Sequence, residues 1–286
     1  MSIQNIPESL IFDASIPSDL FIYDLKMTQD VINSKVNLGL NMFSFLQIGH
    51  KKVHFADTSV AVNENQSVLI KNGNCLMTEL IGKDKEYYCK LFFFSSKKVR
   101  QFLDTNNYKR GSEYNEKPYF IIENDSFITD YISSLSSKLH SKNKEQQDFL
   151  QLKFEEIIHY LIHKYNQKFI DFLLQLISEY DKSPFKNKIE TNSNLNLKVE
   201  QLAFLFNMSI STFKRTFENE YAISPGKWFQ EKRLLKAKRL LENGTMKCID
   251  VHLECGYESA SNFSNAYKKR FGKSPKKDIK IGSLSN

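Results

Sequence analysis

Two hydrophobic periods divide the chain. Over residues 20–96 apolar and polar positions tend to alternate, the two-residue period of a strand with one buried face. Leu38, Leu40 and Met42, each separated by a small or polar residue, show it. Asn72-Gly73-Asn74 stands between SVLIK and CLMTEL. Asn-Gly supplies the positive backbone angles of a tight turn, so a hairpin is expected there. The aromatic run EYYCKLFFFSS predicts a further strand, buried on both faces. Short strands punctuated by turn signals predict an antiparallel sandwich or barrel.

After PYFIIEN the period becomes helical. Residues 126–141 and 145–181 carry apolar side chains at helical spacing: Phe149, Leu152, Ile157, Tyr160 and Leu161, then Ile170, Leu173, Leu174 and Ile177. These helices either cover the sheet or form a dimer seam, and the pattern does not separate the two. Residues 181–196, DKSPFKNKIETNSNLN, are polar and rich in asparagine, which reads as an interdomain linker. The expected division is a sensor and dimerisation domain over 1–182, a linker over 183–196 and an all-helical domain over 197–286.

In that last part a pattern repeats at a spacing of fifty positions. Ser209-Ile-Ser211-Thr-Phe213-x-x-x-Phe217 parallels Ser259-Ala-Ser261-Asn-Phe263-x-x-x-Tyr267. Each leading serine can cap a helix by accepting a bond from a free backbone N–H, and an aromatic pair four residues apart gives that helix one buried face. A shorter apolar segment precedes each, VEQLAFLF and CIDVHLEC, with turns at Asn207-Met208 and Gly256-Tyr257. Helix, tight turn and capped helix with a polar outer face is the helix-turn-helix arrangement. Between the two units runs GKWFQEKRLLKAKRLLENG after Ser224-Pro225. Serine as cap and proline in the first turn start this helix, and Gly244 is placed to end it. About 18 residues of helix span ~27 Å, enough to hold two reading helices near the ~34 Å repeat of one duplex turn. Its Lys232, Arg233, Lys236, Lys238 and Arg239 add positive charge.

These residues resemble the AraC/XylS family of bacterial transcription regulators. The resemblance rests on MSISTFKRTFENE, RLLKAKRLLENG and CGYESASNFSNAYKKRFGKSPKK and covers roughly residues 195–278. The N-terminal part is similar to family sensor domains in layout alone, a jelly-roll-like portion followed by helices. The implied fold class is α+β, with a strand-rich first domain and an all-α second domain holding two helix-turn-helix units. The resemblance implies that Ser211, Lys214 and Arg215, with Thr212 beside them, and Ser261, Asn262 and Asn265 face base edges. Arginine and lysine suit the guanine O6/N7 acceptors, and asparagine pairs with adenine N6/N7. Lys268, Lys269 and Arg270 are placed to meet phosphates, which position a protein without specifying sequence. RNA polymerase is an implied partner, as are a small-molecule or protein effector and a second copy of the chain. Two positions depart from the family pattern: Ala222 stands where glycine is frequent, forcing another turn geometry or strain, and His252 replaces a usual alanine, where it reads as a satisfied core residue.

Charge agrees with that reading. The net charge of +7 is unevenly spread. Residues 186–286 hold 19 lysines and arginines against 10 carboxylates, and the rest of the chain holds 21 against 23. All the net positive charge lies in the final third, as expected when one domain faces a polyanion. The start of the chain lacks a cationic segment followed by an apolar one, and no stretch reaches the ~18 apolar residues of a membrane span, so a cytoplasmic regulator is expected.

Other chemistry has weaker support. Cys75, Cys89, Cys248 and Cys255 show no C-x-x-C spacing; Cys248 and Cys255 read as core residues rather than a redox pair. His159 and His163 sit at i, i+4, but HYLIH lacks the glutamate of the hydrolytic motif. His50 and His54 flank two lysines with no third ligand in view. No G-x-G-x-x-G, Walker lysine motif or G-x-S-x-G elbow occurs, and no cofactor is expected. An enzyme on the N-terminal barrel, with the basic domain as a tether, is the alternative reading. Phe43, Phe45, Phe55, Tyr87, Tyr88, Phe92, Phe93 and Phe94 read as plain core, with a role in lining an apolar pocket as the alternative.

Overall fold

The computed structural model describes residues 3–10, 19–83, 85–108, 117–135, 144–177, 185–192, 196–243, 246 and 248–278. It divides into two compact units, Met1–Ser183 and Pro184–Asn286.

The first unit holds strands β1 (Gln4–Ile6), β2 (Leu20–Met27), β3 (Val31–Leu38), β4 (Asn41–Ile48), β5 (His50–His54), β6 (Ser59–Val62), β7 (Gln66–Ile70), β8 (Gly73–Leu80), β9 (Tyr87–Phe94) and β10 (Tyr119–Glu123). They form two five-stranded sheets, ordered β1-β3-β8-β5-β6 and β10-β7-β4-β9-β2. All pairings are antiparallel except β1 with β3. Helices α1 (Ser96–Asn106), α2 (Ser126–Ser134), α3 (Lys144–Tyr165) and α4 (Gln167–Leu176) accompany them.

Strand β9 shows why an aromatic run belongs here. It lies between β2 and β4, and successive side chains point to opposite faces. Phe92 and Phe94 enter a core with Val99, Phe154, Ile157 and Leu161 from the helices, whereas Cys89, Leu91 and Phe93 enter the core between the sheets with Val36, Val53 and Met77. The sheet that holds β9 is therefore apolar on both faces, and the helices cover it. Lys90, in the same strand, is buried and donates to the carbonyls of Ile132 (3.2 Å) and Leu135 (2.6 Å), capping the C-terminus of α2.

Two expectations are corrected. Asn72-Gly73 is no hairpin: β7 is already paired on both edges, to β4 and β10, so β8 crosses to the other sheet and lies between β3 and β5. Gly73, at φ +135°, makes that crossing, and the buried Asn41 accepts from the Asn72 N–H at 3.0 Å. In α3 the buried stripe is Leu150, Phe154, Ile157, Ile158 and Leu161, while Phe149 and Leu152 are 58% and 61% exposed. The i, i+4, i+7 spacing from Leu150 leaves those two on the opposite side. Residues 136–141 and 178–181, also expected to be helical, lie outside the described residues.

The second unit is helical: α5 (Phe185–Asn192), α6 (Val199–Leu205), α7 (Ile210–Tyr221), α8 (Pro225–Glu242), α9 (Cys248–Glu254) and α10 (Ala260–Phe271), then a short 3-10 turn at Pro275–Asp278. Helix α5 occupies part of the stretch expected to be a linker. Its two large apolar side chains are one turn apart: Ile189 is fully buried, and the Phe185 ring lies 5.1 Å from Phe206 and 5.8 Å from Phe213. Ion pairs Lys186–Glu220 (3.3 Å) and Lys232–Glu190 (3.2 Å) fix its outer side. Gly244 lies outside the described residues, and α8 ends at Glu242.

Candidate nucleic-acid interface

The fifty-residue repeat folds twice into the same local form. The Ser209 hydroxyl accepts from the Thr212 N–H at 3.1 Å, and Ser259 from Asn262 at 3.2 Å. Each bond satisfies a donor that the helix start leaves free. Phe213 and Phe217 are fully buried in the first helix-turn-helix, as are Phe263 and Tyr267 in the second to within 2%. The turns ahead of α7 and α10 place Asn207 at φ 53° and Gly256 at φ 70°. The repeat continues past the reading helices: Ala222 and Gly272 both adopt the left-handed conformation as C-caps, and Pro225 and Pro275 follow, both buried. Ala222 thus accepts the strained geometry, at φ 55°.

Helix α8 serves both halves. Its N-terminal turns join the aromatic cluster of the first through Trp228 and Phe229, packed on Phe217. Leu234, Ala237 and Leu241 then form the second core with Val251, Cys255, Phe263 and Tyr267. Burial raises the pKa of the Cys255 thiol, which keeps it a packed, protonated side chain. Of the Cys248 side chain nothing is described.

With the aromatic faces turned inward, Ser211, Lys214 and Arg215 on α7 and Ser261, Asn262, Asn265, Lys268 and Lys269 on α10 are exposed. Thr212 is half-buried and belongs to the cap, its hydroxyl 2.8 Å from that of Ser209; the Ser211 hydroxyl is 3.0 Å from the same atom. Several cations of this domain also make contacts within it. Arg270 is exposed, and its Nε donates to both Glu231 oxygens, at 2.8 and 2.7 Å, tying α10 to α8. The row of cations on α8 is likewise engaged within the unit. Lys232 meets Glu190, Lys236 meets Glu254 at 2.7 Å on α9, Lys238 meets Glu242 at 3.7 Å, and Arg233 lies over the Tyr257 ring. The Lys232 and Lys236 pairs join α8 to neighbouring helices, the Lys238 pair lies within α8, and Arg239 on this helix stays exposed. Sequence reading missed the partners of Lys232, Lys236 and Arg270 because they lie 42, 18 and 39 residues away along the chain.

Asn196 is a further residue the pattern did not flag. Its Nδ2 donates to the Glu254 carbonyl at 3.2 Å, and its side chain lies where a Cβ on Gly256 would sit. It links the chain ahead of α6 to the turn of the second helix-turn-helix. His252 is half-buried rather than core.

The first unit carries different chemistry. Lys51 and Glu79 form an ion pair at 3.0 Å with side chains 1% and 8% exposed. Burial alone would lower the Lys51 pKa, but the Glu79 carboxylate outweighs it and the pKa is raised, so the ammonium stays charged. Burial pushes the nearby Cys75 thiol up to about 12. His159 and His163 are exposed, and among the described residues no three His, Cys, Asp or Glu side chains are grouped to hold a metal. Of the eight aromatics weighed as pocket lining, all but Tyr88 are core; Tyr88 is half-buried and donates to Asp24 at 3.0 Å. No described helix is long and apolar enough to cross a membrane.

Comparison with known proteins supports the division into two units. A helix-turn-helix domain model matches residues 202–280, and an ExsA N-terminal regulatory domain model matches residues 41–172. The virulence regulon transcriptional activator VirF of Yersinia enterocolitica is 30% identical over 186 residues, 61% of this chain and 67% of that protein. The regulator ExsA of Pseudomonas aeruginosa is 38% identical over 78 residues, 27% of this chain and 28% of its own. A crystal structure of ToxT from Vibrio cholerae aligns with 91% of this chain and 96% of its own at 14% identity and a TM-score of 0.40, too loose a superposition to carry an argument. The chain belongs to the AraC/XylS family of transcription regulators, with an N-terminal regulatory domain and a C-terminal helix-turn-helix domain that binds DNA.

Proposed function

We propose that the chain is a transcription activator that reads two successive major-groove segments with α7 and α10. Ser211, Thr212, Lys214 and Arg215 serve the first segment; Ser261, Asn262 and Asn265 serve the second. Lys268 and Lys269 neutralise phosphates. The observation that carries this reading is the paired arrangement of serine-capped helices, each with two buried aromatics and an exposed polar face. In this reading the protein works in the cytoplasm, catalyses no reaction, contacts RNA polymerase, and takes a small-molecule or protein signal at its first unit. The name of VirF as an activator supports the sign of regulation.

The test is selection of DNA from a random pool by the full chain, followed by comparison with Arg215→Ala and Asn262→Ala across a salt series. A two-part site spaced by about one helical turn is expected. Each substitution should relax preference in its own half and cost ~1–3 kcal/mol. Salt-sensitive binding without any motif would reduce the domain to an electrostatic tether and return the enzyme reading to consideration.

A further inference from the structure

Between the two sheets of the first unit lies a cavity of about 260 Å³. Its walls are mostly aliphatic and thioether side chains, among them Leu25, Val36 and Met42, with the neutral polar residues Gln4 and Ser9, and its charged groups are Lys51 and Glu79. Such a pair is a poor device for packing alone. Taking two charges out of water costs more than their attraction returns unless the remaining donors and lone pairs are satisfied, and an apolar pair of similar volume is often as stable. Here satisfaction is incomplete. An ammonium has three N–H donors; that of Lys51 has Glu79 Oε1 at 3.0 Å and the weak acceptor Met77 Sδ at 3.9 Å. A small apolar chamber with convergent polar groups is the general form of a small-molecule site.

We infer that this cavity binds a neutral amphiphile: a hydrocarbon body against the apolar walls and a hydroxyl or amide head that accepts from Lys51 and donates to Glu79. The inference deepens the reading of the first unit as regulatory and rests on it. The class follows from the charges. A carboxylate would gain Lys51 but meet Glu79, whose oxygen is 3.0 Å from that ammonium. An ammonium head would gain Glu79 and meet Lys51. Only a head with both a donor and an acceptor, and no net charge, uses both groups.

Four probes of one chain length test it on the full-length protein by titration calorimetry: octan-1-ol, octanamide, octanoate and octylamine. The alcohol and the amide are expected to bind at least tenfold more tightly than either charged probe. Glu79→Gln should reverse the order and make octanoate the tightest ligand, and Leu25→Trp should remove binding of all four. Should Glu79→Gln fail to fold, the double variant Lys51→Met/Glu79→Leu, which buries no charge, should fold and lose the discrimination. Equal binding of the four probes, binding of none, or unaltered selectivity in the double variant overturns the assignment. Binding to the selected DNA site is measured on the same preparation. Site binding with no probe bound sinks the cavity assignment and leaves the regulator standing; probe binding without site binding does the reverse.

Discussion

At Ala222 the backbone needs what an L side chain resists. The residue ends α7 at φ 55°, its N–H donating to the Glu218 carbonyl at 2.9 Å, and Gly272 does the same at the end of α10. An L-residue in this region costs about 1–2 kcal/mol, while glycine lowers stability by about 0.4–1 kcal/mol through the unfolded chain. The balance favours glycine. Ala222→Gly is therefore expected to stabilise the second unit by about 0.5–1 kcal/mol in urea denaturation, with DNA binding unchanged because the residue is a cap and no part of the reading face. A loss of stability would mean that the strain is relieved elsewhere. The departure from the family pattern was legible as a choice between strain and another turn; only coordinates show that strain was taken.

At the scale of elements, legibility followed local signals. Serine caps, aromatic pairs and the Pro225 start are decided within a few residues, so α7, α8 and α10 could be placed from sequence. Strand β9 declared its two buried faces by composition. What failed depended on distant partners. The Asn72-Gly73 turn has hairpin chemistry, yet whether β8 folds back depends on β7 having a free edge, and β4 and β10 occupy both. Helix α5 looked like a linker because only Phe185 and Ile189 are large and apolar, and the rings that meet Phe185, Phe206 and Phe213, come about 20–30 residues later in the chain. This makes α5 a test case. If the segment is part of the folded unit, Phe185→Ala should destabilise it by about 2 kcal/mol, below the ~3–5 kcal/mol of a fully buried phenylalanine. A change within about 0.5 kcal/mol, normal for a surface site, would restore the linker reading.

At the scale of the whole molecule, charge and apolar surface are allotted differently to the two units. The second unit concentrates cations, and Lys232, Lys236 and Arg270 among them also form ion pairs between helices. The first unit leaves apolar surface instead: Phe149 and Leu152, three residues apart on α3, are more than half exposed beside a helix whose other face is fully packed. Among the described residues neither belongs to a core cluster. A second copy meeting along residues 145–180 would bury them, and pairing two chains would give each DNA site two binding units at high effective concentration. Sedimentation at high micromolar concentration should then show a dimer. Phe149→Asp with Leu152→Asp should give a monomer whose melting temperature, measured at low protein concentration, stays close to that of the parent, since neither side chain is in the core. A parent chain that is wholly monomeric under those conditions would leave the two residues without this role, and the regulator would have to engage DNA as a single pair of reading helices.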